Sequence, residues 1–508
     1  MAKASLERAA GILLHPTSLP GRFGIGDLGP AAHAWVDALA QARLSWWQLL
    51  PLGPTGAGDS PYQSFSSFAG NTLLLSPEAL AADHLLTKDD LEWATLPAGP
   101  VDYGAVLPRK AELVERAWAR YERGAAAPEL GGQFEEFQGQ HAGWLEDLAL
   151  FLALKQEQGG RSWFEWPEDL VLRRPAALTK ARRRLGDAIA AQRFGQFLFF
   201  RQWRALKQYA AARHVHFIGD LPIFVAGDSV DVWTEPELFQ LDERRQPRVV
   251  AGVPPDYFSS TGQLWGNPHY DWQAMGRAGF AWWVERLRGT LAIVDLVRLD
   301  HFRGFVASWE VPAGSPTAAT GRWVDGPGAD LFQAFRVALG ELPLIAEDLG
   351  VITPDVEALR QRFGLPGMRV LQFTFGGFSE ERFLPHNYTR PTVVYTGTHD
   401  NDTTLGWWAH LDEAAQRELR GYFPATERDI AWDLIRAAWA SVADIAVTPL
   451  QDVLSLGTEA RMNYPGRADG NWRWRCPQEA LTAGLFDRLA EWTEVFRRAP
   501  VQQSKEPA

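Results

Sequence analysis

Cysteine is nearly lacking in this 508-residue chain: Cys476 has no second thiol to pair with. That excludes a scaffold stapled by internal disulfides and fits a reducing compartment, with Cys476 itself read as a buried, inert thiol. No run of about 20 apolar residues occurs, and Met1-Ala2-Lys3-Ala4-Ser5-Leu6-Glu7-Arg8 contains no apolar stretch of signal-peptide length. A cytoplasmic protein with no membrane partner is therefore expected. Positive charge is in deficit, with 50 Lys and Arg against 62 Asp and Glu and a formal net charge of -12. A nucleic acid would meet net repulsion at long range, so none is expected as a partner. Low-complexity tracts, short-period repeats and heptad arrays are absent too.

What is abundant is core-forming and aromatic material. Hydrophobic residues make up 46% of the chain and charged residues 22%, enough for a large globular core and too few charges for disorder. The 23 Trp, 28 Phe and 10 Tyr exceed what ordinary packing calls for. Most will be core, yet aromatic faces also stack well on the C–H surfaces of sugar rings.

Short β-type runs fall at 12–15, 46–51, 215–219, 292–298, 342–346, 368–373, 392–396 and 444–449. Several are nearly continuous in apolar residues, the pattern of strands covered on both faces. Amphipathic helical stretches lie between them, at 31–44, 194–212, 272–287, 330–339 and 354–363. The last opens on Thr353-Pro354-Asp355, a hydroxyl at the N-cap followed by Pro and an acid. Eight strands alternating with helices predict an α/β protein, a (β/α)8 TIM barrel with large, mainly helical insertions after the early strands. The spacing predicts one catalytic domain over 1–508. It carries a mostly helical inserted subdomain at about 52–213, with helical segments at 108–123 and 134–158, between the second and third strands. A loop-rich insertion at about 226–271, rich in Pro, Gly, Trp and Tyr, lies over the active face.

Acidic residues punctuate the ends of these runs: Asp300, Glu347 and Asp400 each follow one. Carboxylates projected from the carboxyl ends of parallel strands converge, which points to acid/base and nucleophilic chemistry. His15, Asp220, Arg298, Gln372, His399, Gln451 and Asp452 collect at the same mouth. One pocket explains the set, although Asp452 alone would serve equally well as a cap or solvated loop end. Arg298 and Asp300, at i and i+2, share one side of an extended segment, so Arg298 can hold Asp300 ionised. The alternative for that pair alone is a structural ion pair. Glu347 complements it as a proton donor if its surroundings raise its pKa, and two carboxyls with split roles cleave glycosidic bonds.

Three other patterns fail. Gly53-Pro54-Thr55-Gly56-Ala57-Gly58-Asp59-Ser60 has P-loop spacing, but Asp59 replaces the lysine. His214 and His216 open the third strand and so belong at the opposite face. Asp300-His301 with His399-Asp400 offers metal-ligand types, but Arg298 among them would oppose a cation.

At these residues the chain resembles the amylomaltases, or disproportionating enzymes, bacterial 4-α-glucanotransferases of the wider α-amylase clan. The likeness runs from Gly11-Ile12-Leu13-Leu14-His15-Pro16-Thr17-Ser18-Leu19-Pro20 to Asn463-Tyr464-Pro465-Gly466. It passes through Trp46-Trp47-Gln48-Leu49-Leu50-Pro51, Ser60-Pro61-Tyr62-Gln63, Gly219-Asp220-Leu221-Pro222-Ile223, Val253-Pro254-Pro255-Asp256-Tyr257-Phe258, Gly262-Gln263-Leu264-Trp265-Gly266-Asn267-Pro268 and Thr398-His399-Asp400-Asn401. The resemblance implies Asp300 as nucleophile, Glu347 as general acid/base and Asp400 as a third carboxylate stabilising the transition state. It implies substrate binding by Tyr62, Asp220, Pro255, Asp256, Tyr257, Trp265, Arg298, His301, Gln372, Phe373, His399 and Asn463, with no metal and no cofactor. One departure from ordinary α-amylases stands out: their third-strand motif has an Asn-His pair after its Asp, whereas here Asp220 precedes Leu221-Pro222-Ile223-Phe224-Val225.

The implied reaction is a retaining double displacement between maltooligosaccharides or α-1,4-glucans, with glucose as acceptor or product. The carboxyls of Asp300 and Glu347 would then lie about 5 to 5.5 Å apart. Hydrolysis by the same residues, and a non-catalytic glucan-binding barrel, are the alternatives. A monomer or weak homo-oligomer is expected.

Overall fold

The structure, a computed structural model, describes residues 6–255, 260–375, 381–423 and 429–500. Twelve strands occur among them: β1 (Ala9–Leu13), β2 (Trp46–Gln48), β3 (His216–Leu221), β4 (Val249–Val253), β5 (Gln263–Pro268), β6 (Leu296–Leu299), β7 (Ala307–Pro312), β8 (Arg322–Asp325), β9 (Leu344–Ala346), β10 (Gly367–Val370), β11 (Thr392–Tyr395) and β12 (Ile445–Pro449). Eight of these close a parallel barrel in the order β1-β12-β11-β10-β9-β6-β3-β2, with α-helices between consecutive barrel strands except β10 and β11, which 3-10 turns separate among the described residues, so the fold is a (β/α)8 barrel. No described helix is long and apolar enough to cross a membrane.

Alternation along each strand builds two cores. Ile218, Leu296, Ile345, Met368, Val370, Val393, Tyr395, Ile445 and Val447 form one buried cluster, while their neighbours Phe217, Val297, Leu344, Ala346, Val394 and Ala446 join the larger cluster shared with the helices. The period of two thus sorts side chains between the barrel interior and its jacket. At the base, Gly11 admits Trp46: a Cβ on Gly11 would stand 2.6 Å from both the Cβ and the carbonyl oxygen of Trp46.

Several elements differ from their sequence patterns. The run at 12–15 is strand only to Leu13 and begins at Ala9, because pairing on both sides imposes strand on Ala9-Ala10-Gly11 against weak propensity. The run at 292–298 loses its start to the Ala281–Ile293 helix, and 371–373 is a 3-10 turn rather than strand. The stretch 272–287 is two helices, Trp272–Arg277 and Ala281–Ile293, parted where Gly279 and Phe280 both take positive φ. Pro108 lies inside the Tyr103–Glu122 helix rather than at its start. The Thr353 side chain makes no cap bond, although Pro354 is the first residue of the Pro354–Phe363 helix.

The largest difference concerns the excursion at 226–271. It carries β4 and β5, which join β7 and β8 from the segment after β6 in an antiparallel sheet of order β5-β4-β7-β8. Two excursions from neighbouring barrel strands are thus hydrogen-bonded together. In the stretch between β2 and β3, the Gly186–Ala211 helix packs Phe194 on Phe134 of the Glu129–Glu157 helix at 5.3 Å, and Trp203 on Phe217 of β3 at 5.0 Å. One helix therefore ties the helical layer to the barrel.

Two arginines fasten the seam where β1 meets β12. Arg498 is fully buried and donates to the carbonyls of Ala9, Trp439, Asp444 and Ala443 at 2.8 to 3.2 Å. Arg8 donates to Trp439, Ser441 and Phe496. Trp439 lies in the last turn of the Ile430–Ala440 helix, where orphan carbonyls and the dipole favour a cation. Burial pushes the Arg498 guanidinium down to about 9, so carbonyl contacts carry most of its solvation. Arg498→Leu should cost on the order of 3 kcal/mol, because buried carbonyls lose their donors. The denaturant midpoint measures this, and an unchanged midpoint would show that the seam does not depend on it.

Candidate active site

Strand register sets the centre of the site. Asp220 on β3 pairs directly with Arg298 on β6, and Leu299 on β6 pairs with Ala346 on β9. Asp300 and Glu347 each follow that last pair by one residue, with the Asp300 N–H bonded to the Leu221 carbonyl and the Glu347 N–H to the Leu299 carbonyl. Both carboxyls are thus held at the carboxyl ends of adjacent strands.

Arg298 bridges two acids. Its Nη1 donates to both carboxylate oxygens of Asp220 at 2.8 Å, and its Nη2 lies 2.9 Å from Asp300 Oδ1. The guanidinium side chain is 5% exposed and Asp220's is 0%. A cation so buried is tolerable only with anions in contact, and its own pKa is raised above the ordinary value by Asp220 and Asp300 against the cost of burial.

Glu347 sits otherwise. Its Oε2 accepts from the His301 N–H at 2.7 Å and its Oε1 from the Leu349 N–H at 2.9 Å. Burial, reinforced by the negative charge of Asp300, pushes its carboxyl up to about 8 despite Arg298 and the two N–H donors. His301 delivers its N–H from a left-handed conformation, φ 50°. Its ring packs edge-on to Trp265 at 4.9 Å, and burial lowers its pKa to about 4, so it is neutral.

Asp400 occupies the next sector, beyond β11, with a side chain 45% exposed against 28% for Asp300. Asn463 Nδ2 donates to its Oδ1 at 2.7 Å, and His399 Nε2 is 3.4 Å from the same oxygen. Tyr62 links this sector to the first: its hydroxyl donates to Asp220 Oδ2 at 2.6 Å and lies 2.8 Å from His399 Nε2. The Tyr62 ring stacks on His399 at 5.3 Å.

Contacts therefore bring together Tyr62, Asp220, Arg298, Asp300, His301, Glu347, His399, Asp400 and Asn463, with Trp265 against His301. Gln372 is buried and donates to the Asp402 carbonyl, so it braces a loop. Phe373 packs on Phe383 at 5.7 Å. Pro255 is exposed at the end of its segment, while Asp256 and Tyr257 lie outside the described residues. Asp452 accepts from the hydroxyls of Thr396 and Thr404 and from the Thr404 N–H, a bracing role. His216 is exposed at the start of β3, away from the mouth. Two residues at the site escape the sequence patterns. Arg461 donates to the Asp400 and Asn463 carbonyls, and Trp472 lies 5.8 Å from the Tyr62 ring. The only signal for either was proximity to Asn463 in the chain.

A buried carboxyl pushed up to about 8, beside a second carboxyl in contact with an arginine, at the carboxyl mouth of a closed parallel barrel, defines a class: carboxylate enzymes acting at glycosidic bonds. Comparison narrows it. Residues 14–481 match the glycoside hydrolase family 77 model, described as 4-alpha-glucanotransferase, and the chain belongs to that family. It is 52% identical over 501 residues to a 4-alpha-glucanotransferase of Thermus thermophilus, covering 97% of this chain and 99% of that one. A Synechocystis 4-alpha-glucanotransferase is 48% identical over 497 residues, covering 97% and 98%. The structure of amylomaltase from Streptococcus agalactiae in complex with acarbose superposes with a TM-score of 0.94 at 38% identity, covering 97% of this chain and 100% of that one.

The Glu347 carboxyl should show a protonated C=O band in infrared difference spectra at neutral pH, lost as pH rises through about 8. Arg298→Leu removes the opposing positive charge and should move that loss to higher pH. A band absent at neutral pH would refute the protonated form.

Proposed function

We propose that the chain transfers segments of α-1,4-glucan or maltooligosaccharide to the 4-hydroxyl of another glucan or of glucose by a retaining double displacement. The observation that carries this is the division of the two adjacent carboxyls, Asp300 against Arg298 and Glu347 against two N–H donors in a buried setting. Asp300, ionised, attacks the anomeric carbon while Glu347 gives its proton to the departing oxygen, leaving a β-linked glycosyl-enzyme and a free 4-hydroxyl on the leaving chain. Glu347, now a carboxylate, takes the proton of an incoming 4-hydroxyl as that oxygen displaces Asp300, and the α linkage returns.

Asp400 holds sugar hydroxyls through bonds that tighten as the ring becomes oxocarbenium-like, with Asn463 fixing its orientation. Tyr62 and Trp265 supply aromatic surface to sugar rings. The names of the Thermus thermophilus and Synechocystis relatives and the acarbose complex of the Streptococcus agalactiae amylomaltase support sugar as the acceptor.

Incubation with maltotriose should give glucose and longer oligosaccharides at constant total reducing ends; rising reducing ends would identify a hydrolase instead. Asp300→Asn should lower kcat by roughly 10³-fold or more while leaving the fold intact, and retained turnover would remove Asp300 from the nucleophile's role. The kcat/KM profile should fall as pH rises through about 8, where Glu347 loses its proton, and Glu347→Gln should abolish that limb along with the activity.

A further inference from the structure

His15 closes the first barrel turn after β1, and the mechanism above gives it no task. It is 5% exposed, and its Nδ1 is buried without a hydrogen-bond partner among the described residues. Burial lowers its pKa to about 3, so the ring is neutral. A buried imidazole nitrogen without a partner is costly. His15 lines a pocket of about 30 Å³ together with Ser18, Thr398, His399, Asn401 and Gln451. That space has room for a water, and its lining is polar enough to bind one.

The other imidazole on this pocket is His399, whose tautomer follows from its neighbours. Tyr62 commits its only proton to Asp220 at 2.6 Å, so the Tyr62 oxygen, 2.8 Å from His399 Nε2, must accept. His399 therefore carries its proton on Nε2, which also faces Asp400 Oδ1 at 3.4 Å. In the neutral ring Nδ1 is then an acceptor, and no described protein group donates to it. The Nδ1–H tautomer would set two lone pairs, Nε2 and Tyr62 Oη, against each other.

We propose that His15 is a positioning residue for His399: a water held between the two rings donates to His399 Nδ1 and bonds to His15, fixing the Nε2–H tautomer that serves Tyr62 and Asp400. The proposal rests on the assignment of His399 and Asp400 to the reacting sugar's surroundings. It assigns to His15 an effect on turnover with no contact to substrate, and the orienting partner of an imidazole commonly has such an effect.

The test is a double-mutant cycle on maltotriose transfer joined to ¹⁵N spectra of histidine-labelled protein. His15→Leu should lower kcat about tenfold with KM within about twofold, and the His399 ring signals should leave the Nε2–H pattern. In a His399→Asn background the same substitution should change kcat by less than about twofold, because nothing remains to position. Losses that multiply, an unchanged kcat or an unchanged His399 pattern would each overturn the proposal. If leucine prevents folding, His15→Asn carries the same cycle with the same outcomes. Wild-type protein that fails to transfer would count against the proposed function instead, and the His399 spectra would still decide the link to His15.

Discussion

The site depends on one guanidinium. Arg298 is nearly dry and holds Asp220 with one nitrogen and Asp300 with another. Desolvating a cation costs several kcal/mol, and only close anions with good geometry offset it. Each neighbour's state follows. Asp300 lies against the guanidinium and is exposed enough to reach a substrate; burial, with the charge of Asp300, pushes the Glu347 carboxyl up to about 8. Asp220, paired to Arg298 against the upward push of burial on its carboxyl, accepts the Tyr62 proton, which in turn sets the tautomer of His399 beside Asp400. Four acids around one pocket would repel one another. A single buried cation, placed by strand register, gives them unequal states.

Much of this was legible because barrels write their mouths into the chain. Short apolar runs fall on all eight barrel strands, and Arg298 and Asp300 share a face by simple alternation, as their contact shows. Boundaries were less legible where neighbours decide: Ala9-Ala10-Gly11 is strand because β2 and β12 flank it, and Ile293 is helix because its helix continues. Asp452 could have been catalytic or bracing from its position, and three bonds to Thr396 and Thr404 make it bracing. Arg461 and Trp472 act across some 60 and 400 residues of chain on Asp400 and Tyr62, at separations no local pattern encodes.

Pro, Gly and aromatic residues give the excursion at 226–271 a loop-rich pattern, yet Val249–Val253 carries β-branched residues and finds its partners in β5 and β7. Non-local antiparallel pairing leaves only a faint mark in a short window. Its effect on the site is direct. Trp265 belongs to this sheet and touches His301, the residue whose N–H holds Glu347. The wall of the cleft and the proton donor are therefore two steps apart through contacts.

The seam between β1 and β12 bears on how the chain is made. β1 leaves the ribosome several hundred residues before the strand that covers its outer edge, Ile445–Pro449. Until β12 arrives that edge has open N–H and C=O groups, the kind of template on which nascent chains associate wrongly. Its residues, Ala9-Ala10-Gly11, are poor β-formers, so the waiting edge has little intrinsic tendency to adopt strand or recruit one. Closure comes with the arrival of β12 and then of Arg498, whose donors take up the carbonyls of both ends. A weak first strand is thus a form of patience, trading local stability for a barrel that shuts only when its last piece exists.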